Sequence, residues 1–192
     1  MLKLAVLLSG SGRTLDNFHR CIKDGSLPAR ILTVIANNQK ALGLEKARGY
    51  GYPAFYAEDN QAANQIIMDF QPDLICLAGY LKLYQPPENL TKRVINIHPA
   101  LIPAFCGSGY YGHHVHQAVK KRGCTISGCT VHFADHRYDE GPIILQKSVE
   151  LAYQDSPADI AEKVFAAECE AYPQALRLVR EKGVDFFWER VK

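Results

Sequence analysis

An asparagine and a histidine stand two residues apart in the apolar run Val94-Ile95-Asn96-Ile97-His98, and Pro99 and Pro103 close that run. Alternate residues of a strand share a face, so the Asn96 amide and the His98 imidazole should project side by side. A hydrogen-bond donor beside a titratable ring suits acyl-group chemistry, in which a carbonyl oxygen gains charge while an attacking group loses a proton. The same two residues can equally be a satisfied buried amide and a packed ring.

Three further places bear on that choice. Asp139, in Tyr138-Asp139-Glu140-Gly141-Pro142, can be plain turn chemistry. It can also orient His98 and favour the imidazolium, since a nearby negative charge stabilises a cation. Glu168 falls between Val164 and Ala171 on the apolar stripe of a C-terminal helix. A carboxylate there needs a partner or a ligand unless it reaches the rim. Ser9-Gly10-Ser11-Gly12-Arg13-Thr14 joins a strand to a helix. Small residues let backbone N–H groups approach a phosphate, and a helix N-terminus favours negative charge. The loop lacks both a P-loop lysine and a complete G-x-G-x-x-G. It therefore suits a single phosphate assisted by Arg13 or Thr14, or it is a tight turn without a ligand.

The elements that must position these groups follow from the hydrophobic pattern. Leu4–Leu8 is a short continuous apolar run, as in a strand buried on both faces. Leu15, Phe18 and Ile22 then keep helical spacing up to Gly25. Arg30–Ala36, Pro53–Tyr56, Asp73–Gly79 and Val94–Ile97 read as strands, separated by helices around Ala41–Arg48 and Ala62–Phe70. Such alternation predicts a mostly parallel, twisted α/β sheet with helices on both faces. Ligands of such sheets bind beyond the carboxyl ends of the strands. The glycine loop, Tyr80–Tyr84 and His98 all fall at such ends. After a Gly- and Tyr-rich loop, a short helix should form around Val115, Ala118 and Val119. Thr125–Phe133 and Pro142–Leu151 should extend the sheet as a β-hairpin. Ser156-Pro157-Ala158-Asp159 opens a long C-terminal helix with an N-cap, a first-turn proline and an acid at the third position. Its stripe is Ile160, Val164, Ala171, Ala175 and Leu178, and Pro173 inside it should kink it.

The chain has 192 residues, 47% hydrophobic and 22% charged, which fits a single domain over residues 1–192. A net charge of +2 gives no support to nucleic-acid or membrane partners. The six cysteines form no C-x-x-C pair, and no apolar run approaches a signal or membrane-spanning length. A cytosolic protein with reduced thiols is expected. His113 and His116 could share a metal, but no Cys, Asp or Glu completes the set nearby, so no metal site is expected. Cys106 could pair with His98 as a nucleophile; nothing around it marks a lowered pKa, and a packed thiol is the simpler reading.

Asn96-Ile97-His98-Pro99 through Ile102-Pro103-Ala104-Phe105, with Asp139-Glu140-Gly141-Pro142-Ile143-Ile144, resembles the folate-dependent formyltransferases. Ser9–Gly12 after the first strand, Leu77–Lys82, Gly128–Phe133 and Glu168 with Tyr172-Pro173 narrow the resemblance to the branch acting on glycinamide ribonucleotide in purine synthesis. The resemblance covers nearly the whole chain and implies the formyltransferase fold. It implies transfer of formyl from the co-substrate 10-formyltetrahydrofolate to the amine of glycinamide ribonucleotide, by a monomer or homodimer without metal. It further implies Asn96, His98 and Asp139 as the catalytic trio and Gly12, Arg13 and Thr14 as the substrate-phosphate segment. Glu168 would hold the glycinamide substrate, and Leu81, Lys82, Leu83 and Tyr84, with Asn96, would hold the folate.

Some positions depart from the family pattern. Many members have Ser-Asn where this chain has Arg13-Thr14, and the arginine they commonly place early in the third helix for folate has no counterpart in Glu58–Phe70. The loop Cys106–His116 is richer in Gly, Tyr and His than many relatives show. Competing readings are a hydrolase releasing formate from formyltetrahydrofolate, another folate-dependent formyltransferase, and a non-catalytic module that binds folate or nucleotide.

Overall fold

The computed structural model describes residues 1–191. In chain order these form β1 (Leu2–Leu8), α1 (Arg13–Lys23), β2 (Ala29–Ala36), α2 (Leu42–Gly49), β3 (Ala54–Tyr56), α3 (Asn60–Phe70) and β4 (Leu74–Leu77). A single 3-10 turn at Glu88–Leu90 precedes β5 (Val94–His98). Then come α4 (His113–Arg122), β6 (Ile126–Phe133), β7 (Ile143–Glu150), α5 (Pro157–Lys182) and α6 (Val184–Glu189). The strand order in the sheet is β3-β2-β1-β4-β5-β6-β7. The mostly parallel α/β sheet, the hairpin and the long C-terminal helix expected from the sequence are all present. The chain forms two compact units, Met1–Asn96 and Ile97–Lys192.

In the first unit, β1 pairs in parallel with β2 and β4, β2 with β3, and β4 with β5. Leu4–Leu8 are fully buried, as a strand covered on both faces requires. Phe55 and Tyr56 of the short strand β3 are exposed, as suits a sheet edge. α3 starts at Asn60 rather than Ala62 because the Asp59 side chain accepts the Ala62 N–H and so caps the helix two residues earlier. The register sets Leu7 opposite Leu77 and Leu77 opposite Asn96. The carboxyl ends of β1, β4 and β5 are thereby brought level.

In the second unit, β6 and β7 form the expected antiparallel hairpin, from Ile126 opposite Glu150 to His132 opposite Ile143. Its connection closes tightly. A side chain at Gly141 would lie 1.8 Å from the Phe133 carbonyl oxygen, so only glycine lets the turn carrying Asp139 fold back. α5 opens with a full capping box, in which Ser156 and Asp159 each accept the other's backbone N–H. The helix continues through a buried Pro173 as one element. Ile160, Val164, Ala171 and Ala175 are buried as expected. Leu178 is only half-buried, and Leu176 and Val179 take the core positions of that turn.

Candidate active site

The glycine loop of the first unit is built by backbone. Gly12 caps α1 in the left-handed conformation, φ 75°, with no side-chain cap. A Cβ there would stand 2.8 Å from the Gly43 Cα, and the Gly43 N–H donates to the Gly10 carbonyl at 3.0 Å. The loop is thus pressed onto the start of α2, with Gly12 buried, Arg13 exposed and Thr14 half-buried at the head of α1. One turn later, Asp16 is held by Lys46 Nζ at 2.6 Å and by the Tyr50 hydroxyl at 3.0 Å. These partners offset a carboxylate that would otherwise repel an anion at this helix end.

The loop after β4 is tied to the glycine loop and to α3. The Ser9 N–H donates to the Gly79 carbonyl at 3.0 Å, and the Leu81 N–H donates to Ser9 Oγ at 2.9 Å. Asn60 Nδ2 donates to the Leu83 carbonyl, Asn64 Nδ2 to the Gln85 carbonyl, and the Tyr84 hydroxyl to Asn64 Oδ1 at 2.6 Å. The third helix therefore uses side-chain amides to hold the loop. Tyr84 is buried, and burial raises its hydroxyl pKa. Leu81 and Lys82 are exposed, with Lys82 Nζ donating to the Glu58 carbonyl at 2.9 Å.

The second unit gathers titratable groups in its interior. His98, at the end of β5, is 3% exposed. Its Nε2 lies 2.8 Å from the Phe105 carbonyl oxygen and its Nδ1 3.4 Å from Asp139 Oδ2. The Gly107 N–H donates to that same carboxylate oxygen at 2.9 Å. His132, near the end of β6, places Nε2 3.5 Å from Asp139 Oδ1 and Nδ1 2.9 Å from the Phe133 carbonyl oxygen. Phe105 (φ 51°) and Asp139 (φ 59°) both lie in the left-handed region. Asp tolerates that region, whereas Phe pays a steric cost there. Strained backbone of this kind concentrates at functional sites. Of the three such non-glycine residues among those described, Gln71 ends α3, and Phe105 and Asp139 are direct partners of His98.

The electrostatics modify one expectation. Asp139 and the Phe105 carbonyl do favour a charged His98, but burial, reinforced by His132, outweighs them and lowers its pKa. Asp139 shows the reverse balance. Burial would raise its pKa, yet the His132 hydrogen bond, the His98 charge and the Gly107 N–H together bring it down. The site therefore favours a neutral imidazole beside a carboxylate.

The sequence-derived residues fall as follows. Asn96 and His98 share β5 two residues apart, and His98 and Asp139 meet directly. Glu168 is half-buried on α5, and its charge helps raise the Cys129 thiol on β6 to about 12, after burial. Cys106 donates to the Pro103 carbonyl, and burial with Asp139 and Glu140 raises its pKa, the opposite of an activated nucleophile. His116 is buried while His113 is exposed. Among the described residues, no group of three or more His, Cys, Asp or Glu is placed to hold a metal ion. Nor is any helix long and apolar enough to cross a membrane. Missed from sequence were His132, the Phe105 carbonyl, the Gly107 N–H and the Ser9 hydroxyl. For His132 a signal existed, a polar ring in an otherwise apolar strand end seven residues before Asp139.

Residues 2–176 match the formyl transferase family model. The chain is 34% identical over 194 residues to the chloroplastic phosphoribosylglycinamide formyltransferase of Arabidopsis thaliana, covering 95% of this chain and 66% of that relative. It is 34% identical over 193 residues to the trifunctional purine biosynthetic protein adenosine-3 of Bos taurus, covering 95% of this chain and 19% of that one. It therefore spans slightly less than two thirds of the plant relative's length and about a fifth of the bovine one. Among solved structures it resembles glycinamide ribonucleotide transformylase 1 from Symbiobacterium toebii, at TM-score 0.85 and 36% identity, covering 94% of this chain and 88% of that one. Phosphoribosylglycinamide formyltransferase from Anaplasma phagocytophilum gives TM-score 0.85 and 32% identity, with the same coverage of each chain.

Proposed function

The chain belongs to the formyl transferase family, and from that premise we propose that it transfers the formyl group of 10-formyltetrahydrofolate to the amine of glycinamide ribonucleotide, as a single formyltransferase domain over residues 1–192. The observation that carries this reading is the buried His98, held between the Phe105 carbonyl and the Asp139 carboxylate, with Asn96 two residues before it on the same strand. A cytosolic setting fits six cysteines that are reduced thiols.

The amine attacks the formyl carbon, a C–N bond forms, and the carbonyl oxygen takes up negative charge. The Asn96 amide donates a hydrogen bond to that oxygen. The nitrogen that has attacked must lose a proton, and the folate nitrogen that leaves must gain one. A neutral His98 accepts the first and delivers the second, so the ring ends each turnover as it began. Asp139 fixes the ring and stabilises its transient charge. The other residues bind. Gly12, Arg13 and Thr14 take the substrate phosphate at the head of α1, Glu168 takes the glycinamide substrate, and Leu81, Lys82, Leu83 and Tyr84 take the folate. Lys82 supplies a cation for folate carboxylates where α3 supplies none.

The test is incubation with glycinamide ribonucleotide and formyltetrahydrofolate, followed through the folate absorbance. Amine-dependent loss of the formylfolate is the expected result. Loss of formyl without the amine would indicate a hydrolase, and binding without turnover a non-catalytic module; either overturns the proposal.

A further inference from the structure

The carbonyl that holds His98 has to be brought back to it by the chain. His98 Nε2 lies 2.8 Å from the carbonyl oxygen of Phe105, seven residues further on. Phe105 keeps that place at φ 51°, a conformation its own side chain disfavours. Strained backbone persists only where the surrounding structure over-determines it. Something else in the second unit must therefore hold this turn.

The hairpin supplies the hold. Gln146 of β7 stands directly opposite Thr130 of β6. Thr130 is fully buried, and its hydroxyl donates to the Ala100 carbonyl at 2.7 Å and accepts the Ile102 N–H at 3.0 Å. Gln146 Nε2 donates to the Ile102 carbonyl at 2.9 Å and to Thr130 Oγ1 at 3.0 Å. A hydroxyl offers one donor and two acceptor sites, and an amide nitrogen offers two hydrogens. Every one of them is committed to the turn or to the other member of the pair. The Ile102 carbonyl can only accept, so the orientation of the Gln146 amide is fixed as well. Gly128 precedes Thr130 by two residues and shares its face of β6. A Cβ there would stand 2.8 Å from Leu101 Cδ2, so glycine leaves room for the turn to settle. Beyond Ile102, the Ala104 N–H donates to the Leu101 carbonyl at 3.0 Å and the Cys106 thiol to the Pro103 carbonyl at 3.2 Å. Little freedom remains between the clamped residues and Phe105.

We propose that Thr130 and Gln146 form a clamp that sets the Phe105 carbonyl against His98, and that both are positioning residues for the transfer step. The catalytic meaning of the clamp rests on the formyl-transfer reading, whereas its hold on the ring does not. A reacting group misplaced by about 1 Å can lose about 10²-fold in rate.

Loss of the clamp has a mark beyond loss of rate. The Phe105 carbonyl is one of the influences that raise the His98 pKa against burial. If that carbonyl drifts, His98 falls further below its ordinary value. The acid limb of kcat, on which the neutral ring is lost, then moves to lower pH. Asp139 and His132 also act on His98, which in turn acts on His116 of α4, with His113 beyond it. Cys106 feels both Asp139 and Glu140. None of these groups is replaced in the variants below, so a difference between variants reports the carbonyl.

The experiment compares wild type with Thr130→Val, Thr130→Ser and Gln146→Met. His98 is titrated by NMR without substrates, and kcat is followed across pH with glycinamide ribonucleotide and formyltetrahydrofolate. Thr130→Val keeps the branched shape and removes the hydroxyl. It should lower kcat about 10–10²-fold, leave both KM values within a few-fold, and move the His98 midpoint and the acid limb together to lower pH. Thr130→Ser keeps the hydroxyl and should restore both to near wild type. Gln146→Met removes the outer donor from an exposed position and should act in the same direction by less. An unmoved His98 midpoint in folded Thr130→Val, or a serine variant as impaired as the valine one, overturns the proposal. If Thr130→Val does not fold, an unmoved midpoint in Gln146→Met overturns it instead. The two readings fail separately. An unmoved midpoint in an enzyme that transfers formyl sinks the clamp alone, and a lowered midpoint in a protein without turnover sinks the transfer alone.

Discussion

The two units carry their functional groups in contrasting ways. In the first, the candidate binding surfaces are loops fixed through their backbone groups: Gly12 against Gly43, the Ser9 N–H on Gly79, the Leu81 N–H on the Ser9 hydroxyl, and the Leu83 and Gln85 carbonyls on side-chain amides of α3. Arg13 and Lys82 are exposed on them. In the second, His98, His132 and Asp139 are buried side chains that depend on one another's charge. Binding a flexible charged ligand needs donors at an accessible surface. Moving a proton needs groups whose pKa values are set by exclusion of water and by each other. The contrast predicts that the second unit will respond to loss of a single side chain in rate, and the first to changes of backbone in stability and affinity.

The largest expected effect is on His98. His98→Ala should lower kcat by about 10²–10⁴-fold, the range for removal of an acid–base group, while far-UV circular dichroism stays native. Arg13→Ala, in the first unit, should instead raise KM for the phosphorylated substrate and leave kcat within a few-fold. Equal losses of kcat in both variants would erase the distinction between the units.

How far this division was legible in the sequence depends on whether the controlling force is local. Alternation of apolar strands with helices, the Ser156 capping box and the β6–β7 hairpin are local patterns, and the structure follows them within a residue or two. Asn96 and His98 could be placed on one face because the period of a strand is two. The glycine loop could be placed at the end of β1 because small residues and a helix start are visible in order. The helix stripe was less secure. The apolar stripe places Leu178 in the core, but adjacent positions of a helix differ by only 100°, and the core here takes Leu176 and Val179. His132 carries a faint signal, a polar ring at an apolar strand end, but its turn onto the Asp139 carboxylate is set by the fold of the connecting loop and not by local pattern. Phe105 carries no mark of a left-handed backbone, since sequence gives that signal through Gly, Asn or Asp. For His98 the sequence showed the nearby charge of Asp139 but not the depth of burial, which decides the direction of its shift.

A smaller effect sharpens the backbone side of the comparison. Gly12→Ala must accept φ 75° and a Cβ 2.8 Å from backbone. The left-handed conformation alone costs about 1–2 kcal/mol, and the clash forces α1 and α2 apart. Urea unfolding should show at least that loss, together with a raised KM for the phosphorylated substrate. Gly10→Ala, two residues earlier, meets nothing within 4 Å, so its stability should change by no more than about 0.5 kcal/mol. If the two variants were equally stable, close packing of Gly12 on α2 would not be what shapes the loop.

The smallest effect concerns how burial in the second unit links stability to pH. His116 is 6% exposed, its Nδ1 has no hydrogen-bond partner, and burial, with the charges of His113 and His98, lowers its pKa from 6.5. His98 is lowered from the same value. In each case the unfolded chain takes up a proton at a higher pH than the folded one. Stability is therefore whole above the unfolded midpoint and falls as pH drops from about 6.5 toward the folded midpoints. Each unmatched proton contributes a slope of up to about 1.4 kcal/mol per pH unit. Asp139 acts in a separate window. Its folded pKa lies below 3.8, so its contribution is present above that value and is lost only as pH falls below it. His116→Leu removes a titrating group and an unpartnered buried nitrogen together, and replacing such an atom by an apolar one can be neutral or stabilising. Urea titrations at a series of pH values should show stability near wild type at pH 8 and a slope below pH 6.5 that is shallower by up to that amount. A slope as steep as wild type would mean that the folded protein protonates His116 as readily as the unfolded chain does. Its burial would then not be the cause of the linkage, and the second unit would lose one of the buried titrating groups that set it apart from the first.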